Sequence, residues 1–221
     1  MINTPKLKKI YQELQQKLFY MIPEKWNKIY LYASVIEHIN KLETGEMFFY
    51  YFPKSVLKKN PVNVYEVPNK FDLDDDEYLK LTDELYGVIK KLRNQMKQEK
   101  EDAWSNITVS VENFRFKIEF GYEDLTNSKF TNYERHIIWR YRYLGISLDS
   151  FNKKERKIID EYYKTNTINK KSPKAYTEPI YTKQFKNVID FNKKNERFVR
   201  DEELKEKQII TEARSQILKL K

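Results

Sequence analysis

Cysteine is absent from this 221-residue chain. That removes disulfides, thiolate metal sites and cysteine nucleophiles together, and it suits a reducing compartment. Glycine is scarce: Gly45, Gly87, Gly121 and Gly145 are the only four, and no phosphate-cradling loop can be assembled from them. Histidine is scarcer, with His38 and His136 alone. Neither stands at the i, i+4 spacing of a zinc-protease helix, so a transition-metal site is not expected. Both read as surface or partly packed side chains. No nucleophile elbow is present, and no window approaches the roughly 18 consecutive apolar residues of a membrane-spanning helix. The opening residues, MINTPKLKK, are charged where a secretory signal would be apolar. The expectation is a cytoplasmic protein without membrane span, metal, cofactor or enzymatic activity.

What the chain does have is charge and aromatic bulk. Charged residues make up 34% and aromatic residues 15%, with a mean hydropathy of −0.83. The length allows one domain with its own core plus an appendage. The net charge of +9 is unevenly spread: Met1–Ser150 carries about one of those charges and Phe151–Lys221 about eight. The body is close to neutral and the tail is basic, so each needs its own electrostatic argument.

Leu7, Ile10, Leu14, Leu18 and Met21 recur at three- and four-residue steps, which predicts an amphipathic helix stopped by Pro23. From Ile29 the period becomes two. Ile29, Leu31, Ala33 and Val35 alternate with Tyr30, Tyr32, Ser34 and Ile36, and both faces are apolar enough for an interior strand. Thr44-Gly45 reads as a turn, Met47–Phe52 as a second strand, and Val62, Val64, Tyr65 and Val67 as a short third. A long helix opens near Asp74, with Glu77 three residues on, and continues through Tyr78, Leu81, Leu85, Val88, Leu92 and Met96. Two alternating strands follow, Ile107–Val111 and Phe114–Phe120, joined at a tight turn near Glu112-Asn113. Thr131 and Glu134 make a capping-box pattern for a last helix, with Gly145 at its C′ position. The order α-β-β-β-α-β-β-α predicts an α+β fold, an antiparallel sheet of about five strands with helices packed on it.

Residues 1–150 are expected to form this domain, and 151–221 a basic, mostly helical extension. Lys153–Tyr163 predicts a short helix with Ile158, Ile159 and Tyr162 inward. Thr165–Thr182, with its Asn, Thr, Lys and two prolines, reads as a linker. Glu196–Leu220 predicts a charged helix with a thin apolar stripe that needs something to lie against. A basic tail can bind phosphates, but its positive charges are interleaved with acidic ones, especially over Asp201–Lys207. Nucleic-acid binding is therefore the lesser reading of it. Trp26, Trp104 and Trp139 stand at element edges and read first as core residues, an exposed indole being the alternative as an interface anchor.

Carboxylates are the remaining chemistry. Asp72, Asp74, Asp75, Asp76 and Glu77 form the densest acidic run, and Glu123 with Asp124 follows the last strand. The run lacks the glycine and the distal glutamate of a calcium loop. It reads as a capped, solvated helix start that doubles as candidate partner-binding surface. Glu123 and Asp124 divide between turn formation and contact.

Several segments together resemble the YezG-like immunity (antitoxin) family. They are M-I-P-E-K-W-N-K-I-Y-L-Y-A from Met21 to Ala33, F-F-Y-Y-F-P from Phe48, T-D-E-L-Y from Thr82 and A-W-S-N-I-T from Ala103. F-G-Y-E-D-L-T-N-S from Phe120 and Y-E-R-H-I-I-W-R-Y-R-Y-L-G-I from Tyr133 complete the set. Their order and spacing over about 145 residues carry the resemblance. It implies a cytoplasmic, non-enzymatic partner of toxins exported by the type VII route in Gram-positive bacteria, toxins that typically end in a nuclease domain. The expected role is to bind such a toxin and block its DNA cleavage. The near-neutral body argues against whole-surface DNA mimicry and leaves a local acidic patch as the candidate contact.

Overall fold

A computed structural model describes residues 3–38, 43–54, 60–166 and 174–180. Helix α1 (Pro5–Tyr20) is capped by Thr4, whose hydroxyl accepts the Leu7 amide, with Pro5 in its first turn, where the missing N–H costs nothing. Strand β1 (Trp26–Ser34) follows, then the small ribbon β2 (Ile36–Glu37) and β3 (Glu43–Thr44), then β4 (Met47–Pro53) and β5 (Val62–Asn63). Helix α2 (Val67–Phe71) leads into the long α3 (Asp75–Gln98). The hairpin β6 (Asn106–Glu112) and β7 (Arg115–Gly121), α4 (Asn132–Tyr143), α5 (Lys153–Asn166) and β8 (Lys174–Pro179) complete the order.

Six strands form one sheet in the order β5-β4-β1-β6-β7-β8, and every neighbouring pair is antiparallel. The fold is α+β, as the order of elements implied, with six strands rather than about five. β1 is the interior strand that its two apolar faces predicted. Its Ile29, Leu31 and Ala33 enter the main core with α1, α3, Trp104 and the inward residues of β6 and β7. Its Tyr30 and Tyr32 point the other way and pack with Tyr50, Trp139 and Leu144. The sheet thus separates two helical layers, α1 and α3 on one face, α4 and α5 on the other.

Local signals fold as their chemistry dictates. Thr131 and Glu134 complete a reciprocal capping box on α4, and Gly145 takes the left-handed conformation just past that helix, φ +63°. Arg93 is buried, its Nε donating to the Trp104 carbonyl at 2.9 Å and its Nη1 to Glu37 at 3.2 Å, which ties α3 to β2 and to the segment that leads into β6.

Four expectations change. Residues 174–179, inside the stretch read as a linker, form edge strand β8 instead, paired with β7 from Phe120↔Lys174 to Arg115↔Pro179. The Val62–Val67 strand shrinks to Val62–Asn63, and a 3-10 turn (Val64–Glu66) and α2 take over. Pro68 lies in the first turn of α2, where proline is pre-set for helix. Phe114 does not belong to the alternating strand. With Asn113 it makes the two-residue turn, both at positive φ (50° and 58°), the primed geometry a tight hairpin requires. α5 extends further than expected, to Asn166, and buries Ile158 and Ile159 against Ile137, Ile138 and Phe151. The helix read over 196–220 lies outside the described residues. Among the described residues no helix is long and apolar enough to cross a membrane.

Candidate partner-binding surfaces

The acidic run is built by the junction of α2 and α3. α2 ends at Asp72 in the left-handed conformation, φ 52°, and the Leu73 amide closes the turn on the Pro68 carbonyl at 3.0 Å. Asp74 is then free to take extended backbone and cap α3, its Oδ1 accepting the Glu77 amide at 2.8 Å. Asp75, Asp76 and Glu77 fill the first turn, where the helix dipole favours negative charge. All five carboxylates are exposed. Among the described residues, no salt bridge engages any of them. Large exposed apolar side chains stand within and just beyond the run, Leu73 at 41% and Leu79 at 52%, and Tyr65, in the turn before α2, is 41% exposed. Asp83 lies one helical turn beyond Leu79, close enough to Tyr65 to help raise its pKa, an effect led by burial.

Glu123 and Asp124 stand elsewhere. Asp124 folds its own loop, accepting the amides of Thr126 at 3.0 Å and Asn127 at 3.1 Å and the Asn127 side-chain amide at 2.7 Å. These bonds, that of the Asn127 side chain first, hold its carboxyl below the usual range. Glu123 is exposed beside it. Both line a cleft of about 560 Å³ on the α4 face of the sheet. The acidic run starts α3, on the opposite layer. The structure therefore does not bring the two acidic groups together.

That cleft was missed by sequence reasoning. Its floor is Tyr32, Thr108 and Glu119, and its wall is Trp139, Arg142 and Tyr143 of α4. The Trp139 indole donates to Thr108 Oγ1 at 3.1 Å, and the Tyr143 hydroxyl to Glu119 at 2.8 Å. Burial disfavours the Glu119 carboxylate, but hydrogen bonds from Lys117 and Tyr143 outweigh it and its pKa falls. Arg135 grips Glu46 through Nε at 3.0 Å and Nη2 at 2.9 Å. Burial still raises the Glu46 pKa against that pairing. The only signal available beforehand was the second apolar face of β1, which had to be covered by something.

His38 is exposed at the surface and His136 is packed. His38 Nε2 meets Thr44 Oγ1 at 2.7 Å. His136 stacks on Phe48 at 4.1 Å and shares a hydrogen bond with the Tyr50 hydroxyl at 2.9 Å. Burial first, then Arg140, lowers its pKa from 6.5 to about 4, so it is neutral near pH 7. Trp104 and Trp139 are buried and Trp26 packs partly buried against the main core. Among the described residues no group of three or more His, Asp or Glu is placed to hold a metal ion.

These elements define an α+β domain in which one antiparallel sheet separates two helical layers. Residues 7–160 match the model of the immunity protein YezG-like family, and the chain belongs to that family. It is 28% identical to immunity protein YezG of Bacillus spizizenii over 167 residues, covering 75% of this chain and 98% of that protein. To immunity protein YezG of Bacillus subtilis it is 29% identical, over 66% of this chain and 93% of that protein. A Staphylococcus aureus relative, named type VII secretion system protein EsaG, is 28% identical over 72% of this chain and 94% of its own length.

Proposed function

We propose that this chain is an antitoxin that binds a cognate type VII-secreted nuclease toxin and blocks its activity by surface contact. Its membership of an immunity protein family supports the antitoxin role, and the relative named for type VII secretion supports the export route. The observation that carries the mode of action is the exposed start of α3. The five carboxylates there are exposed and, among the described residues, engaged in no salt bridge, and Leu73, Leu79 and Tyr65 are exposed as well. A DNA-cleaving partner presents a basic surface, and carboxylates steer its approach while the apolar side chains supply the desolvated contact. Glu123 and Asp124, on the other layer, would form a second contact only with a partner that wraps an edge of the sheet.

The test is to purify the chain with the toxin encoded beside it. Co-elution and full suppression of DNA cleavage at equal molarity are expected; failure of both defeats the reading. Within it, reversing Asp72, Asp75 and Asp76 to lysine should weaken binding by about 1 kcal/mol or more at low salt. Asp74 is left untouched because its loss would damage the helix as well as the surface. Unchanged affinity of the triple variant would remove this patch from the interface.

A further inference from the structure

Strand β8 lies beyond the matched family region, which ends at residue 160, yet it pairs with β7 from Arg115 to Phe120, all of that strand but Gly121. Two of its side chains hold it. Tyr176 is buried and stacked on Tyr11 of α1 with ring centroids 4.0 Å apart. Ile180, just past the strand, is buried in the main core, and its amide donates to the Phe114 carbonyl at 2.8 Å. Glu178 receives a hydrogen bond from Gln15.

The two edges differ in kind. Bare, β7 would be a regular strand of seven residues with no bulge in its register to β6. It has Phe116, Ile118 and Phe120 on its core face and no proline, which is the type of edge that pairs with another chain. It is also self-complementary. An antiparallel pairing centred on Ile118 places Lys117 opposite Glu119 of a second copy, twice by symmetry, and Phe116 opposite Phe120. β8 offers no such edge. It is six residues long and ends in Pro179, and the pairing register places the charged Lys174 and Glu178 on the same face as Tyr176. Short length, proline and inward charge are the devices by which sheets avoid edge-to-edge association.

We infer that β8 is a guard strand: it occupies in cis an edge that would otherwise pair with a second copy of this chain through β7. The proposal does not depend on which toxin the protein binds.

The test uses the full chain with Tyr176→Asp and Ile180→Asp, changes that unseat the strand. The sedimentation mass of the variant should be twice that of the wild type, while the amides of residues 115–121 stay protected from exchange. Adding Lys117→Glu, which sets like charges against each other across the pair, should return the mass to the wild-type value and speed those amides. A folded double variant with wild-type mass overturns the proposal, whether its β7 amides exchange fast or slowly. If the double variant loses its far-UV dichroism, Tyr176→Ala alone replaces it. Its mass must then rise with concentration more steeply than that of the wild type, and an identical concentration dependence overturns the proposal.

Discussion

At the scale of single residues, two glycines have opposite tasks. A Cβ on Gly45 would sit 2.0 Å from the Ser34 carbonyl oxygen and 2.1 Å from the Tyr86 hydroxyl, groups that are themselves bonded at 2.8 Å. Backbone cannot yield there, so Gly45→Ala should cost about 1–3 kcal/mol. Gly87, exposed in α3, has nothing within 4 Å of an added Cβ, and Gly87→Ala should stabilise by about 0.5–1 kcal/mol through helix propensity. Urea unfolding of both variants checks the opposite signs. His136 makes a second residue-scale prediction. Its folded pKa is depressed from 6.5 to about 4, so between those values the unfolded chain binds a proton that the folded chain refuses. Its contribution is therefore lost as pH falls through that window. The stability difference between wild type and His136→Phe should shrink from pH 7 to pH 4 and be flat above. A difference independent of pH would place the charge elsewhere.

At the scale of elements, legibility followed locality. The caps at Asp74 and at Thr131 with Glu134 were readable because a side chain three residues from its amide needs no tertiary partner. β8 was not readable. Lys-Ala-Tyr-Thr-Glu-Pro has one large apolar residue and a proline, and its strand conformation comes from the β7 edge rather than from its own propensity. The segment Val62–Val67 failed for the opposite reason: its valines favour strand, but Asn63 caps the turn through the Tyr65 amide and Pro68 pre-sets a helix. The acidic run was legible as a cap, while the exposed Leu73, Leu79 and Tyr65 beside it became visible only with burial known. Because Asp74 alone accepts an amide, Asp74→Ala should destabilise the protein by about 1 kcal/mol. Asp75→Asn and Asp76→Asn should each cost a few tenths. Equal losses at all three, by thermal or urea unfolding, would mean that the cap is not the operative interaction.

At the scale of the whole molecule, one strand serves two interiors. β1 gives Ile29, Leu31 and Ala33 to the α1–α3 layer and Tyr30 and Tyr32 to the α4 layer, so neither can lose its core without stripping the other side of the same backbone. This arrangement also explains why the cleft escaped the sequence. Alternation showed that β1 had two apolar faces, but which helix covered the aromatic one depended on the path of the chain after β7. The two interiors carry natural reporters, Trp104 in the first and Trp139 in the second. Variants that keep only one of them, with the other tryptophans replaced by phenylalanine, should each show a single fluorescence transition in urea that coincides with that variant's own loss of far-UV dichroism. If the layers were independent, fluorescence and dichroism would separate, with the Trp139 signal released first while the sheet persisted. Coincidence in both variants is the outcome that a shared central strand requires, because opening either layer exposes a strand whose reverse face is still packed.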